Sequence, residues 1–290
     1  MSLVLQNVSY TYMPGTPYCR DALLGVDLTI ERGEFIGIIG HTGSGKSTLV
    51  QHLNGLLRPT SGTVSLDGAN MHDRRQALKS IRQKVGMVFQ YPEHQLFEET
   101  VFDDVAFGPR NLGLGEDEVR QRVESALERV GLSVGEFAKR SPFRLSGGQM
   151  RRVAIAGVIA LQPEYLVLDE PSAGLDPCGR DEIYSQILQL YRECGMAVVL
   201  VTHNMEDVAR MAKRLLVMDH GRIRFDGVPA ALFHDESFPL HDFGVSLPNV
   251  TVLLKRLRAH GLDVDETLQS EAAVADAVYA GWLTRRASSC

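Results

Sequence analysis

Short runs of apolar residues alternate with segments of helical periodicity through most of this 290-residue chain. The runs at 35–39, 84–89, 165–168 and 196–201 are each followed directly by a glycine or a polar residue. Nearly continuous apolar runs of this length are typical of strands buried on both faces of a parallel sheet. Between two of them, residues 116–131 repeat apolar positions at spacings of three and four, the pattern of an amphipathic helix. The alternation predicts an α/β fold.

The regions outside these runs predict how the chain is divided. Residues 3–30 alternate apolar and polar positions around a turn-rich loop, so we expect short antiparallel strands there. From about 92 to 161 the pattern is helical, which predicts a helical subdomain between two strands of the core. A β-hairpin is expected at 215–226. We expect a main domain at 1–235 and a helical C-terminal extension at 236–290, which docks against the core or against another subunit.

The sharpest motif follows the first apolar run, at residues 40–48. It matches G-x-x-x-x-G-K-[ST] between a predicted strand and a predicted helix, a setting that argues against a glycine turn without a ligand. Its glycines allow turns that point backbone N–H groups at phosphate oxygens. We expect Lys46 to bridge the β- and γ-phosphates of a nucleotide and the Ser47 hydroxyl to hold Mg²⁺. The predicted nucleotide-binding residues are Gly40, His41, Thr42, Gly43, Ser44, Gly45, Lys46, Ser47 and Thr48.

Polar side chains follow the later apolar runs, where the carboxyl ends of parallel strands border a ligand crevice. We expect Asp169 to hold Mg²⁺ and Glu170 to act as general base toward an attacking water. We expect His203 to contact the γ-phosphate, and Gln90 to coordinate Mg²⁺ and orient the water. Each of these residues also has a purely structural explanation: Gln90 could cap its strand, Glu170 could be a surface carboxylate, and His203 could be a hydrogen-bonded surface or core residue. For Gln90 by itself, the strand cap is the safer interpretation.

A second phosphate-binding motif, Ser146-Gly147-Gly148-Gln149, opens the predicted helix at 150–161. Bare backbone N–H groups, a hydroxyl and the positive end of a helix dipole combine at such a position. The simpler role of Ser146 as the N-cap of the helix is compatible with phosphate binding.

Aromatic and acidic residues extend the predicted site. Tyr12 is the candidate for stacking on adenine, with Tyr10 and Tyr18 as fallback candidates. Tyr10 and Tyr12 are equally explained as core or edge-strand residues. Asp176, in the turn at 171–177, either caps the next helix or reaches across an interface, and the pattern favours neither.

Composition narrows the function classes. The net charge of -6 argues against a nucleic-acid-binding surface. No apolar stretch approaches the ~18 residues of a membrane-spanning helix, and the four cysteines form no C-x-x-C pair. Without a secretory signal at its start, the chain is expected in the cytosol with reduced thiols. Any membrane role would depend on a partner.

Five features of this sequence occur in the order found in ABC-type ATPases: the phosphate-binding loop at 40–48 (the P-loop), Gln90, the motif at 145–149, the strand end at 166–170 and His203. The chain resembles these ATPases over about residues 1–235. The resemblance implies a P-loop NTPase core sheet of RecA-like fold, an N-terminal antiparallel β subdomain and a helical subdomain that carries the 145–149 motif. It implies that two such domains sandwich two ATP molecules head to tail. Each ATP would lie between the P-loop of one subunit and the 145–149 motif of the other, which couples hydrolysis to dimer closure.

A narrower resemblance is carried by the segments 89–101, 106–111 and 148–157. They are similar to the ATP-binding subunits of energy-coupling factor transporters, specifically to the second of the two A-components. In that family, two A-subunits energise a membrane T-component, which works with a substrate-binding S-component to import vitamins or transition-metal ions.

The resemblance to this second family implies the partners and the location of the chain. It implies a homodimer or a heterodimer with a sibling A-component, with ATP and Mg²⁺ as cofactors. The groove near Gln90 to Phe97 would receive the T-component, and the S-component would be contacted only indirectly. The C-terminal extension would serve dimerisation. The protein would lie peripherally on the cytoplasmic face of the cell membrane.

Other classes share the P-loop and the 145–149 motif. DNA-maintenance ABC ATPases carry a long coiled coil or a DNA-binding insert between the two, whereas about a hundred residues without sustained heptads separate Lys46 from Ser146 here. Translation-associated ABC proteins carry two cassettes per chain, and this sequence has one. An ordinary ABC importer or exporter subunit is the nearest alternative. The sequence leaves open the transported substrate and the choice between homodimer and heterodimer.

Overall fold

The computed structural model describes residues 1–73, 78–234, 238–262, 264, 265 and 273–279. Its strands are β1 (Ser2–Tyr12), β2 (Arg20–Glu31), β3 (Phe35–Ile39), β4 (Ser61–Leu66), β5 (Ala69–Asn70), β6 (Val85–Val88), β7 (Tyr165–Asp169), β8 (Ala197–Val201), β9 (Arg214–Asp219) and β10 (Arg222–Gly227). Its helices are α1 (Lys46–Leu53), α2 (Leu78–Lys84), α3 (Val101–Leu112), α4 (Glu116–Arg129), α5 (Val134–Phe137), α6 (Gly147–Ile159), α7 (Pro177–Cys194), α8 (Met205–Met211), α9 (Pro229–His234) and α10 (Asn249–Ala259). Short 3-10 turns cover Pro92–Gln95, Pro142–Arg144 and Leu240–Phe243.

A mostly parallel sheet forms the core, and its strand order among the described residues is β10-β9-β3-β8-β7-β6. Strands β9, β3, β8, β7 and β6 run parallel, and β10 pairs antiparallel with β9 at one edge. β3, β7 and β8 are buried at every position. Alternate side chains of β7 enter two separate apolar clusters, one on each face of the sheet. This arrangement confirms the predicted α/β fold, because only strands covered on both faces can be apolar throughout.

The N-terminal strands form a second sheet with the order β2-β1-β4-β5. All its strand pairs are antiparallel, which confirms the expectation for residues 3–30. The strands are longer than predicted, at 11 residues for β1 and 12 for β2. Leu3, Leu5 and Val8 of β1 are buried in the same cluster as Val167 of β7, so this sheet covers one face of the core.

The helical subdomain lies on the other face of the core. Thr100 caps α3 by accepting a hydrogen bond from the backbone N–H of Asp103. In α4, Val119, Val123 and Leu127 are fully buried, as their spacing predicts. These residues and the apolar face of α6 share one cluster with the core sheet, so packing holds the subdomain against β7 and β8.

The C-terminal extension agrees with the sequence only in part. The sequence predicts helices near 250–260 and 265–283, and α10 confirms the first of them. Residues 273–279 are helical, whereas 266–272 and 280–283 lie outside the described residues. The sequence also predicts a short basic helix at 73–83. Helix α2 covers its second half, and residues 74–77 lie outside the described residues.

The first part of this extension is docked on the core. Phe238, Leu240, Phe243 and Leu247 pack against an apolar cluster built from β3, α8, β9 and α9. Of the two docking partners expected from the sequence, the core is therefore the one observed for 238–247. No helix within the described residues is both long enough and apolar enough to cross a membrane.

Candidate nucleotide-binding site

The loop at 40–48 joins β3 to α1, as its sequence predicts. Gly40 has φ 144°, and a Cβ atom there would lie 2.2 Å from the carbonyl oxygen of Met218. Gly45 has φ 106°, and a Cβ atom there would lie 2.5 Å from the carbonyl oxygen of Ala22. Both positions need glycine for conformation and for space, since any side chain would collide with backbone. The loop is therefore shaped by two neighbouring backbone segments, one from β2 and one from β9.

A cavity of about 770 Å³ lies over this loop. Its volume falls within the range of small-molecule sites. It is lined by Tyr12, Arg20, Ala22, Gly40, His41, Thr42, Gly43, Gly45, Lys46, Ser47, Thr48, Gln90, Glu170, His203 and Gly244. All the predicted P-loop residues except Ser44 thus line one cavity, together with Gln90, Glu170 and His203 from the strand ends. The side chain of Ser44 is fully buried.

Lys46 is positioned at the floor of this cavity. Its Nζ donates hydrogen bonds to the carbonyl oxygens of Gly40 at 2.7 Å and His41 at 2.9 Å. Burial lowers the pKa of Lys46, and the carboxylates of Glu170 and Asp169 oppose that shift. The ammonium group is therefore partly desolvated within the loop, where a charge-assisted bond to phosphate is strong.

Three polar side chains meet where β6, β7 and β8 end. Nε2 of Gln90 donates to Oε2 of Glu170 at 3.2 Å, and Nδ1 of His203 lies 3.3 Å from Oε1 of the same residue. The three strands are neighbours in the sheet, so their carboxyl ends come together. Both oxygens of Glu170 are therefore held by the two other residues that the sequence places in catalysis.

Asp169 lies deeper than these groups, and only 7% of it is exposed. Burial raises the pKa of Asp169, the hydrogen bond from Ser47 opposes the shift, and repulsion from Glu170 adds to it. The contact with Ser47 brings together two residues predicted to hold Mg²⁺. A carboxylate, a hydroxyl and the nearby Gln90 amide supply the oxygen ligands that this ion prefers, so the residues fit it.

The three tyrosines considered for adenine stacking differ in their distance from the cavity, since Tyr12 is the one that lines it. Tyr12 lines the cavity, and its hydroxyl lies 3.2 Å from Oγ1 of Thr48. Tyr10 packs edge-to-face on Tyr12, with 4.8 Å between ring centroids, and does not line the cavity. Tyr18 is largely exposed. Tyr12 is thus the best placed of the three for adenine, although the stacking itself stays a prediction.

The motif at 146–149 begins α6, as expected. Oγ of Ser146 accepts from the backbone N–H of Gln149 at 3.3 Å, while Oε1 of Gln149 accepts from the N–H of Ser146 at 3.0 Å. This is a capping box, which satisfies two backbone donors at the start of the helix. None of these residues lines the cavity over the P-loop. One chain therefore carries the two predicted phosphate-binding motifs on separate surfaces.

Asp176 caps the helix that follows it. Its Oδ1 accepts from the backbone N–H of Gly179 at 2.7 Å, at the N-terminus of α7. Of the two roles left open by the sequence, the cap is present in the structure. A contact across an interface stays a prediction.

The sequence and the fold match known proteins. A family model described as ABC transporter matches residues 23–173. The energy-coupling factor transporter ATP-binding protein EcfA2 of Clostridium perfringens is 52% identical over 268 residues, which cover 92% of this chain and 94% of that protein. EcfA2 of Symbiobacterium thermophilum is 55% identical over 264 residues, or 91% of each chain. This chain belongs to the ABC transporter family.

Solved structures of ABC proteins share the fold. The cbiO1 protein of Clostridium perfringens, described as part of the ABC transporter complex cbiONQ, superposes with a TM-score of 0.73 at 37% identity, covering 89% of this chain and 97% of that one. The ATP-binding cassette MJ0796, in a dimeric post-hydrolysis state with ADP and Pi, gives a TM-score of 0.69 at 31% identity, covering 78% and 98%. The present chain is accordingly an ABC ATPase with the cassette architecture.

Sequence reasoning missed several residues of this ABC ATPase. Arg20, Ala22 and Gly244 line the cavity although no motif contains them. Gly244 comes from the docked extension, and a Cβ atom there would lie 3.0 Å from Cβ of His41. Only tertiary packing brings it to the P-loop, so no local pattern reveals it.

Arg151 was also missed. Its side chain is 2% exposed, and its Nε and Nη2 donate to the two carboxylate oxygens of Glu93 at 3.1 and 3.0 Å. Nη2 also donates to the carbonyl oxygen of Ala173 at 2.9 Å. Burial favours a higher pKa for Glu93, but Arg151 outweighs it and the pKa lies below its usual value. The sequence does carry a signal for a buried ion pair here, because Arg151 falls on an apolar face of the helix predicted at 150–161, which corresponds to α6.

Proposed function

We propose that this ABC ATPase is the second A-component of an energy-coupling factor importer. Its hydrolysis of ATP would drive uptake of a vitamin or a transition-metal ion through membrane T- and S-components. The observation that carries the proposal is that the two predicted phosphate-binding motifs lie on separate surfaces, one in the cavity over the P-loop and the other at the exposed start of α6. The EcfA2 relatives support this class of transporter over an ordinary ABC importer or exporter.

In the proposed site, ATP enters the cavity with its adenine on Tyr12. The backbone N–H groups of the P-loop surround the phosphates, with the α1 dipole behind them. Lys46 exchanges its loop carbonyls for oxygens of the β- and γ-phosphates. Asp169, Ser47 and Gln90 would hold Mg²⁺, which when bound neutralises charge that develops on the phosphoryl oxygens.

Glu170 would act as the general base. It accepts a proton from the attacking water on a carboxylate oxygen, the water oxygen bonds to the γ-phosphorus, and ADP leaves with the electrons of the broken bond. Gln90 and His203 already contact the two carboxylate oxygens, which fixes the direction of this base. His203 would in addition contact the γ-phosphate.

A second subunit would complete the site. Ser146, the backbone N–H groups of Gly147 and Gly148, and the side-chain amide of Gln149 from that subunit would bind the γ-phosphate from the other side. Asp176 would lie near this interface. The partner is a second copy of this chain or a sibling A-component. Closing the pair around ATP would then move the surface that contacts the membrane subunits.

An aromatic surface adjoins Gln90 and supports the site proposed for the T-component. Phe97 is 58% exposed and Phe107 45% exposed, and their rings pack edge-to-face with 4.9 Å between centroids. In the same segment of the chain, Tyr91 stacks on His94 with 5.8 Å between ring centroids. Clustered exposed apolar side chains of this kind mark protein contacts. The enzyme would therefore lie peripherally on the cytoplasmic face of the membrane. Its net charge of -6 argues against a nucleic-acid partner.

The test is purification of the tagged chain from its native membranes in mild detergent. We expect a sibling ATPase, a T-component and small S-components in stoichiometric amounts. A Phe97→Glu variant should lose the membrane subunits and still bind ATP, because Phe97 lies outside the cavity. Recovery of two transmembrane subunits without any small S-component would favour an ordinary ABC transporter. Recovery of DNA or ribosomes would overturn the transport function.

A further inference from the structure

A cluster of two histidines and one aspartate lies where the P-loop meets the end of β9. It includes His41 of the P-loop itself, but its side chains have no part in the proposed hydrolysis. His41 follows the first P-loop glycine, Asp219 ends β9, and His220 begins the turn to β10. β3 and β9 are neighbours in the sheet, so their carboxyl ends bring these side chains together. One donor atom of each residue lies within 4.8 Å of the other two.

The tautomer of His41 is set by its hydrogen bonds. Nδ1 lies 2.9 Å from the carbonyl oxygen of Thr42, which only accepts, so Nδ1 carries the proton. In the neutral ring, Nε2 then has a lone pair, and it faces Oδ1 of Asp219 at 3.1 Å. Two acceptors at this distance repel each other unless a proton or a metal ion lies between them.

We propose that this cluster binds a divalent transition-metal ion, with Zn²⁺ as its representative, next to the nucleotide site. The ligands would be Nε2 of His41, Oδ1 of Asp219 and Nε2 of His220. Imidazole nitrogens with one carboxylate oxygen suit Zn²⁺, whereas Mg²⁺ prefers oxygen ligands alone. This site is therefore chemically distinct from the proposed Mg²⁺ site, and it does not depend on the proposed transport function.

The distances fit a three-ligand site. Bonds of about 2.0–2.1 Å place tetrahedral ligand atoms about 3.3 Å apart. Oδ1 of Asp219 lies 3.1 Å from Nε2 of His41 and 3.6 Å from Nε2 of His220. The His220 side chain is 79% exposed, so it can turn to close the remaining distance, and water can fill the fourth position.

Surrounding contacts orient the ligands. The bond from Nδ1 of His41 to a backbone carbonyl is the support that metal-binding histidines usually have. Nε of Arg224 donates to Oδ2 of Asp219 at 3.3 Å, which leaves Oδ1 turned toward the two imidazoles. Gly244 of the docked extension covers His41 from another side. A bound ion would tie the P-loop to the β9–β10 hairpin.

The test measures Zn²⁺ binding to the full, nucleotide-free chain by competition with a chromophoric zinc indicator. His220→Asn is the variant, because His220 has φ 44° and asparagine tolerates this left-handed conformation. His260→Asn is the matched control, an exposed histidine at the end of α10. Circular dichroism checks that both variants fold.

The wild-type chain and His260→Asn should share one Zn²⁺ site whose affinity falls by about tenfold or more in His220→Asn. Asp219→Asn should weaken the same site. Zn²⁺ should also raise the unfolding temperature of wild type more than that of His220→Asn, because an ion bound only by the folded state stabilises it. Equal zinc affinity and stoichiometry in wild type and His220→Asn would overturn the proposal and leave His41 and Asp219 as an ion pair alone.

Discussion

The P-loop and the motif at 146–149 both present backbone N–H groups at the start of a helix, yet they are held in different ways. The P-loop is fixed by close backbone contacts, with room only for glycine at Gly40 and Gly45. The 146–149 motif is exposed at the start of α6, where its capping box satisfies two of the backbone donors. The first surface is shaped by its local sequence and immediate neighbours. The position of the second depends on how α6 is anchored.

The anchor of α6 is the buried arginine one turn into the helix. Arg151 joins α6 to Glu93, in the 3-10 turn that follows Gln90, and to Ala173, in the turn that follows Glu170. One side chain thus connects the exposed motif with the proposed T-component groove and with the turn after β7, next to the proposed general base. Short motifs thus supply the proposed chemistry, whereas apolar packing of α6 and one long-range ion pair together determine how the two surfaces are related.

The largest effect is expected at the P-loop surface, from Glu170→Gln. Loss of the general base should slow hydrolysis by about 10²–10⁴-fold, while ATP binding persists because the phosphate-binding groups are intact. Phosphate release and nucleotide titration measure the two separately. Glu182→Gln, at an exposed position on α7, is the control and should leave both unchanged. If Glu170→Gln released phosphate at the wild-type rate, a different residue would have to be the general base.

The next largest effect should come from the anchor of the other surface. Arg151→Met leaves the largely buried Glu93 carboxylate without its partner and should cost about 3–5 kcal/mol of the free energy of unfolding. The double variant Arg151→Met/Glu93→Gln should regain most of that loss. As a control, Arg210→Ala removes an exposed pair with Asp181 and should cost about 0–1 kcal/mol. Equal costs for the two arginines, measured by denaturant unfolding, would contradict the assigned anchor.

The same ion pair predicts a pH dependence. Because the pKa of Glu93 lies below its usual value in the folded state, its stabilisation is fully present above the ordinary pKa of 4.5 and is lost as the pH falls through the lowered value. Wild type should therefore lose stability relative to Glu93→Gln at acid pH. Unfolding curves of both proteins from neutral pH downward measure the difference. A constant difference across this range would show that the pair does not shift the pKa.

Lys46→Ala should weaken ATP binding by about 10- to 100-fold, since a hydrogen bond to a charged group contributes about 1.5–3 kcal/mol. Titration with labelled ATP measures the change. Lys139→Ala, at an exposed lysine of the helical subdomain, is the control. Wild-type affinity in Lys46→Ala would remove the lysine from the phosphate site.

The smallest effect is expected for Asp176, whose observed role is a helix cap. Asp176→Ala should cost about 1 kcal/mol of stability, whereas Asp176→Asn keeps a capping oxygen and should cost little. Hydrolysis rates of the two variants then separate the cap from a contact across an interface. If Asp176→Asn is stable but slow, the carboxylate also acts at the interface.

The sequence predicted the elements that local patterns determine. The core strands, the hairpin, the helix cap at Ser146 and the cavity-lining P-loop all follow from residue order and spacing, whereas the pattern left the role of Asp176 open. Three residues that line the cavity, Arg20, Ala22 and Gly244, could not be predicted in this way, because distant segments of the chain bring them to the loop. Arg151 escaped for the same reason, since its partner Glu93 lies 58 positions away and no short motif joins them.

The proposed mechanism requires that the P-loop of one subunit and the 146–149 motif of another form one site. The most direct test is the hydrolysis rate per chain during dilution below the dimer dissociation constant, with and without the sibling subunit, for wild type and Ser146→Arg. We predict that the rate falls with dilution, returns with the partner, and is abolished when the motif facing ATP carries arginine. A dilute monomer that hydrolyses ATP at the full rate, with Ser146→Arg equally active, would contradict the claim.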